Sequence, residues 1–383
     1  MKKMSSLCSN PNVIRGARIV TVACLLLLFL IGVQGLSTGV KGLGKGALDS
    51  FMLAVTNPGL GLIAGILATT LVQSSSVTTS LIVGMVASGV VPLGVAIPMV
   101  MGANIGTTVT NSIAALTQMG HRDEFKRAFA AATCHDFFNY MTVIVLLPLE
   151  MATGYLTKLS AVVNTWLPSG GLTYKSPFKV LLKTCVSGMK SGIEWLTANQ
   201  TATNVLLITL SIATIFVALS LIVRVMKHLV TTSLEKNIDK LLSPGITGSI
   251  TAITLGALVT ISVQSSSITT SVLVPLAGAG LIHLRQVFPV TVGANIGTTV
   301  TALLASLAIT GPSFMVARQI AIVHLLFNLS GMILFYFPTV TRTLLISTTE
   351  WLAGVAVKSR GWALVYVSVA FYGVPAAIVF LTG

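Results

Sequence analysis

Charge is what this chain has least of. Of its 383 residues only 8% are charged, and just 9 are acidic, whereas a soluble domain carries about 25% charged residues. From Ser50 to Met119 there is no Asp, Glu, Lys or Arg. This deficit excludes an ordinary cytosolic enzyme and a disordered chain. It also argues against a nucleic-acid partner, although 23 Lys+Arg leave a formal charge of +14 that would alone suggest one. Cysteine is scarce as well. Cys8, Cys24, Cys134 and Cys185 fit no zinc or redox spacing and predict free thiols. The sequence contains no Walker-type phosphate loop, catalytic triad or transition-metal cluster. It therefore predicts a non-enzyme without a cofactor, driven by an ion gradient.

What fills the sequence is apolar: 54% of residues are hydrophobic and the mean hydropathy is +0.92. A long uncharged stretch can be surrounded only by lipid or by other apolar protein. The expected fold class is an all-α polytopic membrane protein, with length for about ten crossings of ~20 residues each. A basic start (Lys2, Lys3, Arg15, Arg18) leads into the apolar run Ile19–Leu36. That run has no small-residue cleavage site and reads as an uncleaved first span.

The chain contains an internal duplication. Gln73-Ser74-Ser75-Ser76 recurs as Gln264-Ser265-Ser266-Ser267, 191 residues on. The string from Gly102 to Thr110 recurs from Gly293 to Thr301 at the same offset, and 24 of the 46 positions from Gly65 to Thr110 match without a gap. His135-x-x-x-Asn139 is echoed by His324-x-x-x-Asn328, offset by 189. The expected organisation is a basic cytoplasmic N-terminus (1–18), a first transmembrane unit (19–152), an external loop with some amphipathic helix (153–202), a second unit (203–341), and an amphipathic segment with a final span (342–383).

Short basic segments stay cytoplasmic. The N-terminus and Arg224–Lys240 qualify best, and each repeat follows one apolar span (Ile19–Leu36, then Thr203–Val223). With both basic segments inside, the two repeats enter the membrane from opposite faces, and the last span leaves the C-terminus outside. Inverted-topology repeats are a signature of secondary transporters.

Each repeat interrupts its own apolar run. Leu62–Val72 and Val77–Val91 flank Gln73–Ser76, and neither half reaches ~20 residues. This predicts a re-entrant hairpin or broken helix, which membrane depth tolerates only where the backbone is buried or lines a cavity. A second break is expected around Asn104, from Pro98, Gly102 and Gly106, with Pro275, Pro289, Gly293 and Gly297 doing the same in repeat two. Half-helix starts present unpaired N–H groups that attract anions. Ser, Thr and Asn oxygens with unwound carbonyls suit sodium. Asp136 is the only carboxylate in the apolar run Ala128–Leu149, and its counterpart is Leu325. A lone intramembrane acid is expensive and a functional candidate. The competing structural role is pairing with His135 or Arg127. For His135 and His324, interhelical hydrogen bonding is the expected role. Arg122, Lys126 and Arg127 fall in the charged turn His121–Arg127.

The paired Gln-Ser-Ser-Ser motifs, the Gly-x-Asn-Ile-Gly-Thr strings, Arg127-Ala128-Phe129-Ala130 and His135-Asp136-Phe137-Phe138-Asn139 resemble the type II sodium-dependent phosphate cotransporters. The resemblance covers about Leu60–Glu150 and Ile246–Phe337. It implies a symporter that couples sodium influx to uptake of inorganic phosphate, mainly divalent, by alternating access. Phosphate would then be held by Gln73, Ser74, Ser75, Ser76, Arg122, Gln264, Ser265, Ser266 and Ser267. Sodium would be held by Asn104, Gln118, Asp136, Asn139, Asn295, Thr298 and Thr301. In that family the aspartate matched by Asp136 marks electrogenic members. One charge moved through 100 mV is worth ~2.3 kcal/mol, about 50-fold in accumulation. The chain departs from the family in having His121 where the family's Gly-Asp-Arg turn has its aspartate. It also has a short external loop with only Cys185 and lacks the cysteine-rich C-terminal tail. With no such tail and no recognisable lysosomal or sorting signal, the expected location is a bacterial cytoplasmic membrane. The residues themselves leave other readings open: a symporter of sulfate or another oxyanion, a passive anion channel, or a non-transporting sensor. Oligomeric state is not readable from the sequence.

Overall fold

A computed structural model describes residues 11–43, 57–116, 118–167, 177–197, 199–236 and 245–377. All regular elements among them are helical. The first span is α1 (Pro11–Gly42). Repeat one holds α2 (Pro58–Val72), α3 (Ser75–Ser88), α4 (Leu93–Thr107), α5 (Val109–Leu116) and α6 (Arg122–Thr153). Next come α7 (Tyr155–Trp166), α8 (Pro177–Leu196) and the long α9 (Gln200–Lys236). Repeat two holds α10 (Gly245–Val263), α11 (Ser266–Gly278), α12 (Leu284–Ala308) and α13 (Ser313–Gly331), the last running into a π turn at Met332–Tyr336. After it come α14 (Thr339–Lys358) and α15 (Arg360–Ser368), which runs into a second π turn at Val369–Gly373.

Among the described residues six helices are long and apolar enough to cross a bilayer, fewer than the ten that length alone allowed. The remaining length goes into half-helices such as α2, α3 and α11, and into α7 and α8. The latter two lie in the segment read as an external loop. Large apolar side chains such as Leu71, Ile144, Leu210, Phe216 and Trp362 are exposed, the surface a lipid-facing protein presents. The protein is an all-α polytopic membrane protein. The basic residues used to orient it lie outside the described residues (Lys2, Lys3, Lys240) or carry side chains that are not described.

Helix ends follow local chemistry. Pro58 opens α2 behind Asn57, whose Oδ1 accepts from the Gly59 amide at 2.8 Å. Gly89 ends α3 at φ +84°, and Gly280 does the same after α11 at φ +78°. Asp123 and Glu124 sit in the first turn of α6, where the helix dipole favours acids.

The expected second break falls at Thr108 in repeat one, where α4 gives way to α5, and is absent from repeat two. Helix α4 runs through Pro98 and both glycines, and α12 runs unbroken from Leu284 to Ala308. Each proline lies in the second turn of its helix, so it removes one early hydrogen bond without ending the helix. Pro275 likewise lies inside α11. The glycines serve close packing instead. A Cβ on Gly102 would stand 1.9 Å from the Leu62 carbonyl oxygen, and one on Gly65 2.0 Å from that of Met99. Repeat two repeats the seam: an added Cβ would stand 2.0 Å from the Ile253 carbonyl oxygen at Gly293 and 2.2 Å from that of Val290 at Gly256. Helices α2 and α4, and likewise α10 and α12, thus touch backbone to backbone, as small residues allow in membranes.

Across the repeats the packing is reciprocal: α3 lies on α13 and α12, while α11 lies on α6 and α5. Helix α7 packs on α13, and α14 packs on α6. The spans α1 and α9 pair with each other through Gly32, Gly35 and Gly39 against Ser211, Ile215 and Ile208.

The seams predict a contrast. Gly293→Ala should destabilise the protein by about 1–3 kcal/mol through overpacking, while Gly94→Ala, with no atom within 4 Å of the added carbon, should be neutral. Thermal unfolding in detergent measures both; equal midpoints would contradict the backbone contact.

Candidate functional site

Both Gln-Ser-Ser-Ser motifs form helix breaks of the same shape. Gln73 (φ 53°) and Gln264 (φ 57°) are the only described non-glycine residues with positive φ. That left-handed conformation costs roughly 1–2 kcal/mol for a side-chain-bearing residue and is kept only where the surroundings fix it. Ser74 and Ser265 are extended (φ −149° and −152°) and act as N-caps of α3 and α11. The Ser74 hydroxyl accepts from the Val77 amide at 3.3 Å. Ser75, Ser76, Ser266 and Ser267 fall in the first turns and are buried, so free amides and hydroxyls gather at each half-helix start.

The two breaks touch. Ser76 Oγ donates to the Gln264 backbone carbonyl at 2.8 Å and lies 3.4 Å from Thr301 Oγ1. Thr301 Oγ1 donates to Gln264 Oε1 at 2.7 Å, and Gln264 Nε2 donates to the Ile261 carbonyl at 2.6 Å. Gln264 is therefore buried and bonded, while Gln73 is exposed. Thr110, the counterpart of Thr301, has a shielded hydroxyl with no hydrogen-bond partner. The same sequence pattern is closed in one half and open in the other.

Beside the junction, a buried amide–imidazole chain crosses from repeat to repeat. Thr270 Oγ1 donates to Asn111 Oδ1 (2.9 Å), and Asn111 Nδ2 lies 3.1 Å from His135 Nδ1. His135 Nε2 lies 2.6 Å from Asn295 Oδ1. A consistent assignment has Nδ1 accepting and Nε2–H donating. Asn295 Nδ2 donates to Asn139 Oδ1 (2.7 Å), and Asn139 Nδ2 donates to the Asn104 carbonyl (2.8 Å). On the other side His324 Nε2 and Asn328 Nδ2 approach Asn104 Oδ1 at 3.4 and 3.3 Å. Each repeat's His-x-x-x-Asn thus reaches the asparagine of the opposite repeat's Gly-Ala-Asn-Ile-Gly-Thr string. Both histidines make interhelical hydrogen bonds.

Asp136 is fully buried on α6. Its Oδ2 accepts from Ser112 Oγ at 3.0 Å and from Tyr366 Oη at 2.9 Å. Its Oδ1 has no partner; the nearby Thr108 hydroxyl is already given to the Ile105 carbonyl at 2.9 Å. The expected alternative, pairing with His135 or Arg127, does not occur. His135 has both nitrogens engaged, and Arg127 donates Nε and Nη2 to the Gly278 carbonyl at 2.8 and 2.6 Å. A buried carboxylate without a basic neighbour needs a cation or a proton to be tolerated.

Other anticipated residues stand elsewhere. Arg122 is exposed as the first residue of α6 and makes no hydrogen bond to the junction. Gln118 is half-buried in the preceding turn, its Oε1 against Gly278. Thr298 is buried and donates to the Ala294 carbonyl of its own helix at 3.0 Å. Sequence reasoning missed Asn111, Ser112, Thr270 and Tyr366. The first two directly follow the Gly102–Thr110 string and could have been flagged. Thr270 hides inside the duplicated segment, and nothing local distinguishes Tyr366.

The family described as Na+/Pi-cotransporter matches residues 28–163 and 219–373. Among curated proteins, the chain is 36% identical to sodium-dependent phosphate transport protein 2A of Ovis aries over 421 residues, covering 92% of this chain and 66% of that protein. It is 34% identical to sodium-dependent phosphate transport protein 2B of Homo sapiens over 449 residues, covering 94% and 64%. The 2A protein of Rattus norvegicus is 36% identical over 419 residues, covering 92% and 66%. The chain spans just under two thirds of the length of these relatives. No solved structure matches it.

The crossing network makes its own prediction. Asn295→Leu leaves the His135 Nε2–H and Asn139 Oδ1 buried without partners. It should cost about 1–3 kcal/mol for each orphaned group. Thr298→Val removes only a local bond and should cost less. Detergent melting curves rank the two; the reverse order would mean the chain of bonds carries no stability.

Proposed function

The chain belongs to the Na+/Pi-cotransporter family, and from that premise we propose that it couples inward sodium movement to uptake of inorganic phosphate across the membrane it spans. The observation that carries this reading is the junction of Ser76, Gln264 and Thr301, where two helix breaks from two repeats meet. The breaks supply N–H groups and hydroxyls to an oxyanion without a fixed countercharge. Such a site binds reversibly, as transport requires.

Sodium would be taken by oxygen ligands around Asp136, whose Oδ1 is free, with the Thr108 hydroxyl beside it, and by the amide oxygens of Asn104, Asn139 and Asn295. Tyr366 and Ser112 act as positioning residues: by binding Oδ2 they leave Oδ1 to face the ion. Asp136 has no acidic counterpart in repeat two, so one half would carry an extra cation and transport would be electrogenic. Gln73 open and Gln264 closed corresponds to one end state of alternating access, in which the repeats exchange roles. The reciprocal bonds between repeats support an inverted arrangement, with the N-terminus cytoplasmic. The reading does not draw on Arg122 or Gln118, which make no hydrogen bond to the junction.

Reconstituted in liposomes, the protein should take up labelled phosphate when sodium is outside and lose at least about tenfold of that rate when choline replaces it. Equal rates in both ions would refute coupling. In the same vesicles Asp136→Gly should keep measurable sodium-dependent uptake while the current per phosphate falls to zero. An unchanged ratio of charge to phosphate would remove Asp136 from the sodium pathway.

A further inference from the structure

A cavity of about 1240 Å³ lies apart from the junction, among the N-terminal ends of α6 and α12 and the helices α10, α11 and α14. None of the residues assigned to phosphate or sodium lines it. Lys126, Arg127, Arg285 and Arg342 do, with Asp123 and Glu350 as the acidic groups present. No ion pair joins the four cations to either acid among the described residues. Arg127 is tied to the Gly278 carbonyl through Nε and Nη2, which fixes its guanidinium and leaves Nη1 unbonded. The Arg342 guanidinium stands 5.7 Å above the Tyr336 ring, a stacking that orients it without neutralising it.

This concentration of charge is not inherited from the duplicated fold. At the corresponding positions of the other repeat Arg285 becomes Gly94, Lys126 becomes Met315 and Arg127 becomes Val316. These three cations therefore have no counterparts in the other repeat. The cavity also has an apolar wall, from Ala252, Ala277, Ile282 and Pro289 on one side and Ile346 and Ala353 on the other. Val340 and Leu344 on the same helix are exposed apolar side chains, turned to the face opposite Arg342, so the helix that carries Arg342 presents an apolar outer face. The cavity's volume exceeds the roughly 300–1,000 Å³ of ordinary small-molecule sites, with room for more than a bare ion.

We propose that this cavity is a second anion site, which binds a phosphate group through Arg285, Arg342 and Lys126. Guanidinium groups hold phosphate oxygens bidentately. The group can arrive as the headgroup of an anionic phospholipid, its acyl chains along the apolar wall, or as free phosphate. The site is independent of the transport reading: its ligands are not the junction's, and it can be tested on protein that transports nothing.

The test uses purified full-length protein in neutral detergent. Thermal unfolding is followed while phosphatidylglycerol, phosphatidylcholine or inorganic phosphate is titrated in. Wild type is compared with Arg285→Gln/Arg342→Gln and with Arg285→Lys/Arg342→Lys. The concentration of phosphatidylglycerol or of phosphate needed for half the stabilisation should rise at least about tenfold in the glutamine variant. The lysine variant should lie between it and wild type. A change confined to phosphatidylglycerol assigns the site to a lipid headgroup, and one confined to phosphate assigns it to the free ion. If the double variant does not fold, the single Arg285→Gln, at an exposed position, carries the comparison. The proposal is overturned if neither ligand stabilises wild type, if both act equally on wild type and the glutamine variant, or if phosphatidylcholine acts as well as phosphatidylglycerol.

Discussion

A backbone carbonyl exposed at membrane depth has no water to bond, and this constraint organises the molecule. Each repeat breaks a helix at its Gln-Ser-Ser-Ser motif and must satisfy the groups the break releases. Ser76, at the break of one repeat, satisfies the carbonyl of Gln264 at the break of the other. Thr301 then holds the Gln264 side chain. The His135–Asn295–Asn139 bonds extend the same solution beside it. Neither repeat is complete alone, because the polar groups that one exposes are the partners that the other requires.

The legible part of this was local or repeated. The duplication located both breaks, and serine after a glutamine read correctly as a helix start because capping is decided within a few residues. The lone acid in Ala128–Leu149 announced itself by composition, and the crossing histidines by their repeated spacing. The illegible part depended on distant neighbours. Gly102 and Gly293 looked like breakers, yet in lipid a glycine serves equally to bring two backbones together. Which role applies is set by the facing helix, not by the flanking residues. Tyr366 meets Asp136 across 230 positions, and no spacing rule reaches that far. Arg122 matched a motif, but the structure leaves it exposed at a helix start.

The two repeats also differ in ways their shared sequence conceals. Asp136 faces Leu325 in the alignment, and Arg285 faces Gly94. The duplicated frame supplies the junction, while the substitutions that break the symmetry supply charge: one buried acid at the centre and a set of cations lining one cavity. The formal charge of +14 is thus placed unevenly, with a share of it concentrated around a single cavity rather than spread over all exposed faces.

The glycine seams bear on what can move. Where α2 meets α4, and α10 meets α12, backbone lies on backbone with no side chain between. A sliding step there would drive main-chain atoms through one another, so each pair behaves as one stiff plank. Between the repeats the buried polar contacts are amide, imidazole and hydroxyl bonds, set among apolar packing such as Phe138 on Phe288. The seams therefore favour rearrangement at the side-chain contacts between the repeats over sliding within either pair.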